Sequence, residues 1–445
     1  MSSKPLVSYP ACTGLLIWNE GGNTHQIAIK FGVEVDQAGS IQFAIEDQPL
    51  TKQNFWVNIA FASESAKVAQ LSLKASNAEK MNLVSDSVHL TAVRTPSTPN
   101  AVTLQFTAKA QRLTVYPEAG CHAEVQHYQA EYWIPGLRWF HGAKFSIAEG
   151  EVAIAGDVNP DDYAKVSGEI SIRSSAHGRS ADVWITEIDP AIHRVLDVVS
   201  FADGHFMRPT VRQVFADEKL VCIDYFGRRQ GSSPYKPPLP CLNFTNSLPP
   251  LIQAYTPELV KRTGLSVAIE WHLMPHLYNE ARFVSQMTAI EHLIYVFSEQ
   301  SPDATYIDKR CFNVTIAPIV IEALKQELNK LSLPEDQALD ALKGMSQSLK
   351  GINRRSLRSN LDRMIRLYRV PIEGLQDSIK PLIDTRNAIV HRGLSSRDDD
   401  SAALGQRVAE AEELLRRIIF ALLLFRGRYT SWLNKVEDRE FQVTP

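Results

Sequence analysis

Cysteine is scarce in this sequence. Cys12, Cys121, Cys222, Cys241 and Cys311 are scattered over 445 residues. They are odd in number and none forms a Cys-x-x-Cys pair, which argues against a disulfide framework or a thiolate zinc site. Long apolar runs are also missing. The longest, Ile418–Phe425, falls far short of the roughly 20 residues that span a bilayer. No basic-then-apolar leader opens the sequence. The expectation is a protein of the reducing cytoplasm with no membrane partner. Charge of one sign is lacking too: 47 basic against 50 acidic residues leave a formal net charge of -3. That balance excludes a uniformly basic coat for nucleic acid and leaves room for a local basic site. No phosphate-cradling loop is present, since Gly227–Gly231 lacks the Lys-Ser/Thr ending, and no Gly-x-Ser-x-Gly elbow occurs. Solenoid repeats and low-complexity tracts are absent.

What is present divides the chain by hydrophobic period. In the first half, apolar residues alternate at Phe55, Val57, Ile59 and Phe61, and at Leu104, Phe106, Ala108 and Ala110. Shorter period-two runs fall at 41–45, 71–73, 170–172 and 183–185. Alternation of this kind puts one side of a strand on a core. Turn-forming residues separate the runs at Gly21 and Gly22, at 96–100 and at 159–162. Many short strands so spaced predict an all-β, sandwich-like half over residues 1–230. Six prolines then crowd 231–250, from Pro234 to Pro250, and predict an extended linker.

Beyond the linker the period becomes helical. Phe283, Met287, Ile290, Ile294 and Phe297 share one stripe. Helices are expected near 251–263, 315–331, 335–350, 353–369, 378–392 and 402–433. The fold class is thus multidomain: a β half, then an all-α bundle over 251–436, with 437–445 as a tail.

The chemistry-bearing feature is Arg386-Asn387-Ala388-Ile389-Val390-His391, placed at the end of a predicted helix. Imidazole exchanges a proton near neutral pH, and guanidinium keeps its charge and offers a planar fork to phosphate oxygens. The Asn387 amide could orient either partner. Five helical residues turn the chain by ~140°, so Arg386 and His391 do not point the same way.

This hexapeptide, on a helix followed by a long apolar helix, resembles the Arg-x4–6-His motif of HEPN ribonucleases. The upstream helix bearing Glu291 is similar to the first long helix of such domains. A β-rich half joined to such a bundle resembles the ApeA-like group of HEPN proteins, which are implicated in bacterial antiphage defence. The resemblance implies a metal-independent endoribonuclease without cofactors, cutting RNA (tRNA or another host RNA) by attack of its own 2′-hydroxyl. It implies a homodimer that brings two copies of 386–391 face to face. The catalytic residues would be Arg386, Asn387 and His391, with Glu291 and Asp384 behind them. The β half would then recognise a phage-derived trigger or position the substrate.

A second feature points to RNA. Arg355, Arg358, Arg366 and Arg369 project within a ~80° arc if the helix runs from Asn353, opposite Leu357, Leu361, Met364 and Tyr368. The same stripe would also serve as a solvated face paired with acids such as Glu373. His272 and His276 stand four apart near Glu270 and Glu280, but Pro275 separates them, and structural histidines are the reading preferred over a metal site. Glu280 and Glu291 would steady Arg386 from behind or stand as ordinary exposed helix acids. Tyr132, Trp133, Trp139, Phe140 and His141 would plug the β half or stack on a sugar, and the plug is preferred. Two other functions stay open: a non-catalytic HEPN module for dimerisation or RNA holding, and a carbohydrate-binding protein built on the β half.

Overall fold

The computed structural model describes residues 6–20, 23–36, 39–49, 71–94, 97–98, 101–117, 125–139, 142–157, 162–227, 235–300, 305–331, 333–392 and 401–442. The alternation at Phe55–Phe61 lies outside them. The chain divides into two compact units, Met1–Pro249 and Pro250–Pro445.

The first unit is β-rich. Its strands are β1 (Val7–Glu20), β2 (Asn23–Val35), β3 (Ile41–Pro49), β4 (Leu71–Ser76), β5 (Asn82–Arg94), β6 (Ser97–Thr98) and β7 (Ala101–Ala110). They are followed by β8 (Arg112–Tyr116), β9 (His127–Pro135), β10 (Ala143–Ile147), β11 (Gly150–Gly156), β12 (Val166–Ser175), β13 (Val211–Ala216) and β14 (Lys219–Phe226). In β2, Ile27, Ile29, Phe31, Val33 and Val35 are buried while Ala28, Lys30 and Glu34 face water. This is the period-two pattern of a strand with one wet face.

The strands form one sheet rather than two stacked ones. β5 pairs with β4, β4 with β1, β1 with β2, β2 with β3, and β3 with β7. β7 then returns to β5 through Val88–Arg94. The circuit closes like a barrel around Leu16, Phe31, Val33, Phe43, Leu73, Leu83 and Val88. Asn82–Val84 of the same β5 pairs with β8 instead. From there the sheet continues through β14, β13, β9, β12 and β11 to β10. The expected sandwich is therefore corrected to a barrel-like sheet with a long extension.

Nor is this half all-β. Residues 183–185, expected as strand, lie in helix α1 (Ala181–Asp203). Ser180 caps it, accepting from the Val183 N–H at 3.4 Å, and Gly204 ends it at φ 74°. Pro190 sits inside, where it cannot donate to the carbonyl one turn back. The proline-rich stretch also departs from expectation. Tyr235 N–H donates to Gly204 O, Leu239 N–H to Ala202 O, and Trp139 meets Phe244 edge-on at 5.5 Å. These contacts anchor it, and its end is helical: α2 spans Phe244–Ala254, through Pro249 and Pro250. Burial of Phe244 and Leu248 outweighs the lost amide donors.

The second unit is helical. It contains α3 (Pro257–Thr263), α4 (Leu265–Leu273), α5 (Asn279–Gln300), α6 (Lys309–Cys311), a π turn (Phe312–Ile316) and α7 (Ala317–Lys330). α8 (Glu335–Ile352), α9 (Leu357–Tyr368), α10 (Ile379–Arg392) and α11 (Ser401–Leu422) follow. The expected helix 251–263 is split because Thr256 begins a new one, its hydroxyl accepting from Leu259 N–H with Pro257 in the first turn. α11 is the central helix, buried on all sides from Glu410 to Leu422.

The expected helix 402–433 stops early. Leu424 takes φ 53°, and the chain turns back as β15 (Arg426–Ser431) paired with β16 (Glu437–Gln442). Phe441 of β16 packs on Phe420, Phe425 and Tyr429. Most of the expected tail 437–445 is thus a packed strand.

Candidate active site

The helix α10 buries Ile379, Leu382 and Ile389. At 100° per residue, Arg386 falls inside the arc that these three define. A guanidinium on an inward stripe needs a partner, because an unpaired buried charge is costly. Glu291, on the flank of α5, provides it. Arg386 Nε lies 2.5 Å from Glu291 Oε1, and Nη2 donates to Oε2 at 2.8 Å. Nη1 donates to Asn387 Oδ1 at 3.2 Å. Two hydrogen bonds and the close Nε–Oε1 ion-pair contact hold the guanidinium and leave N–H donors on Nη1 and Nη2 for a further oxygen.

The other motif residues face outward. Lys380, Asp384, Asn387 and His391 share an arc of about 60° on the far side of α10. Asp384, Asn387 and His391 are exposed. His391 stands in the last turn of the helix, and the neighbouring Val390 is half exposed. Asn387 links the two faces of the motif, since its side chain is exposed while its Oδ1 accepts from Arg386. The chain therefore presents an anchored arginine and an outward histidine, not a converged pair.

Asp384 does not support Arg386. It accepts from Lys380 Nζ at 2.6 Å, in an exposed pair one turn apart. Residues two apart on a helix project in opposed directions, so it points away from the guanidinium. Glu280 lies three turns from Glu291 along α5, ~16 Å by helical rise. Of the acids considered for Arg386, Glu291 is the one that holds it.

The arginine stripe is broken at its start. α9 begins at Leu357, so Arg355 precedes it, and its guanidinium lies over the Tyr306 ring at 4.8 Å. Arg358 and Arg366 are exposed on the helix, opposite buried Leu361, Met364 and Ile365. Arg369 ends the helix in the left-handed conformation, φ 52°, its N–H donating to Arg366 O.

No family model matches the chain, and no curated protein or solved structure matches it either.

His272 is buried, its Nδ1 2.6 Å from Gln286 Oε1. Burial pushes its pKa down to about 4, with the nearby Arg416 charge adding to the effect. It belongs to a polar cluster around α11. Arg282 bonds Glu412, Arg416 lies 3.8 Å from Glu412, and Arg417 Nε donates to Glu413 at 2.9 Å. The Tyr429 hydroxyl donates to Glu413 as well, at 2.8 Å. The run Glu412-Glu413-Leu-Leu-Arg416-Arg417 is a doubled i,i+4 pattern, a signal the reading of motifs passed over. Among the described residues no group of three His, Cys, Asp or Glu side chains could hold a metal ion. No described helix is long and apolar enough to cross a membrane.

In the first unit, Tyr132 and Trp139 are core residues and Trp133 is partly buried; Phe140 and His141 lie outside the described residues. A cleft of about 850 Å³ opens between the β10–β11 turn and the start of α1. Arg173, Arg179, His127 and His177 line it together with Glu149, Glu151 and Glu187. Arg179 bonds Glu187 and Arg194 bonds Glu149, so part of that charge is neutralised within the wall.

Proposed function

We propose that this chain is a metal-independent endoribonuclease of the HEPN type, active as a homodimer and serving antiphage defence in the cytoplasm. The observation that carries the reading is the state of the motif. Arg386 is held in a fixed plane by Glu291 and Asn387, while His391 is unburied on the same helix. The two side chains diverge by ~140°, so a second copy is what would complete the site.

The chemistry follows from the groups. A histidine takes the proton of the ribose 2′-hydroxyl as that oxygen attacks the adjacent phosphorus. The P–O5′ bond breaks, and the leaving oxygen is protonated by the histidine of the second copy. Arg386, from its free donors, stabilises charge building on the non-bridging oxygens. The products are a 2′,3′-cyclic phosphate and a 5′-hydroxyl. Arg358 and Arg366 would hold flanking phosphates. In the β unit, the 850 Å³ cleft is a seat for the phage-derived trigger.

The test is cleavage of a defined RNA in chelator by the full chain, with Arg386→Ala and His391→Ala alongside. The parent should release 2′,3′-cyclic phosphate ends, and each variant should be slower by about 10²-fold or more. Variants that cut as well as the parent remove the nuclease assignment. A second reading, a non-catalytic HEPN module that dimerises or holds RNA, draws on the same Glu291 contact, which occupies the Nε–Nη2 edge of the guanidinium. Binding without cleavage by the parent would select it.

A further inference from the structure

Two exposed tyrosines flank the Arg354–Arg355 pair, and one of them shares a helix with Glu291, the partner of Arg386. Tyr295 is one turn beyond Glu291 on α5, ~6 Å along the axis and about 40° around it. It is 59% exposed, and its hydroxyl donates to Glu299 at 2.5 Å. The Arg354 charge acts on the same phenol. Arg354 forms a backbone bridge with Thr305, which places the second tyrosine, Tyr306, beside it. Tyr306 is 56% exposed, with the Arg355 guanidinium over its ring at 4.8 Å.

Residues 305–307 are held in place by hydrogen bonds. Buried Asn353 clamps them, its Oδ1 accepting from Ile307 N–H at 2.9 Å and its Nδ2 donating to Ile307 O at 2.8 Å. Tyr306 N–H donates to Asn353 O at 3.0 Å, and Thr305 Oγ1 donates to Ile307 O at 2.7 Å. Neither aromatic ring is needed for the core. Large rings held rigidly in water, interleaved with arginines, suit a partner that offers flat faces and phosphates together. Among the described residues, Glu291 is engaged with Arg386, Glu299 with Tyr295, and Asp308 with Cys311 N–H.

We propose that Tyr295 and Tyr306, with Arg354 and Arg355, form a stacking track for single-stranded RNA that leads to Arg386. The proposal rests on the ribonuclease reading and narrows it to unpaired substrate. Bases in a duplex keep their faces covered by their neighbours, so they have nothing to lay on these rings.

The experiment uses the full chain carrying His391→Ala, with a labelled oligouridine 12-mer and a duplex of equal length, read by fluorescence anisotropy. The single strand should bind more tightly. Tyr306→Ala and Tyr295→Ala should each weaken it by about five-fold or more, while Tyr295→Phe, which keeps the ring and loses the Glu299 bond, should bind as the His391→Ala parent does. Thermal melting of each variant checks that it folds. Unchanged binding by both alanine variants, or equal binding of strand and duplex, overturns the track while leaving the nuclease standing if the unmutated chain cuts RNA. An unmutated chain that neither binds nor cuts RNA overturns both.

Discussion

Glu291 and Arg386 are 95 residues apart in sequence and meet edge to edge, with Nε 2.5 Å from one carboxylate oxygen and Nη2 2.8 Å from the other. Each side chain is 26% exposed, so water screens the pair only in part. Glu291→Ala leaves a partly buried guanidinium bonded to Asn387. Its expected cost is about 1–2 kcal/mol of unfolding free energy. Arg386→Ala should cost a similar amount and the double variant little more, giving a coupling near 1 kcal/mol. Urea titrations of the three variants measure it. Additive losses would mean that the contact contributes nothing.

The β unit makes a stronger prediction at Arg212. Its guanidinium donates to Asp224 Oδ2 through Nε at 2.9 Å and Nη2 at 2.7 Å, and to Asp189 through Nη1 at 2.5 Å. Arg112 and Thr114 occupy the other oxygen of Asp224. Burial alone would raise the Asp224 pKa; Arg212, the Thr114 bond and Arg112 outweigh it and hold the carboxyl below its usual range. Arg212→Met removes the main counter-charge from a buried acid. A loss of roughly 3–5 kcal/mol is expected, or failure to accumulate folded protein, read by urea midpoint and by soluble yield. A drop under about 1 kcal/mol would show that the network is not a stabilising centre.

These networks mark where sequence reading stops. The alternation from Ile27 to Val35 names which side chains face the core, but not which strand lies beside β2. Closure through β5 and β7 depends on a pairing that no local pattern encodes. Helix α1 was obscured because Val183 and Ile185 are β-branched and Pro190 interrupts the run, both of which weigh against a helix. The packing of Trp184, Ile188, Ile192 and Val195 decides otherwise. At the candidate site the motif itself was plain. Helical arithmetic also separates Arg386 from His391, and it would have removed Asp384, which is two residues from Arg386. That Glu291 holds the arginine while Glu280 stands three turns away is a tertiary fact. So is the clamp of Asn353 on the Tyr306 loop.

His272 gives a pH prediction. Its folded pKa, about 4, lies below the ordinary 6.5. Between those values the unfolded chain binds a proton that the folded chain refuses, so stability rises with pH across the window. The contribution is complete above about pH 6.5 and is lost as pH falls toward 4. At 1.36 kcal/mol per unit the span is on the order of 3 kcal/mol. His272→Gln keeps a neutral polar group near Gln286 and cannot titrate. Urea midpoints at pH 7.5, 6 and 5 should fall less steeply for the variant than for the parent. Parallel slopes would assign the acid sensitivity elsewhere.

The outer face of α10 separates a structural role from a chemical one. His391 is exposed in the last helical turn, so His391→Ala should change unfolding free energy by no more than about 0.5 kcal/mol. Asp384→Asn breaks only the exposed pair with Lys380, and an i,i+4 pair of this kind contributes about 0.3–0.5 kcal/mol. Neither change should disturb the fold. Under the ribonuclease reading their effects on cleavage then differ sharply. Loss of His391 removes the proton carrier and with it the reaction, whereas Asp384→Asn leaves the anchored Arg386 and the imidazole untouched and should keep the rate within about two-fold. Matched stability with unmatched rates places the function at the imidazole. If Asp384→Asn cuts as poorly as His391→Ala, then the outer face acts through its charge or its packing, and the assignment of His391 as the proton-transfer group is wrong.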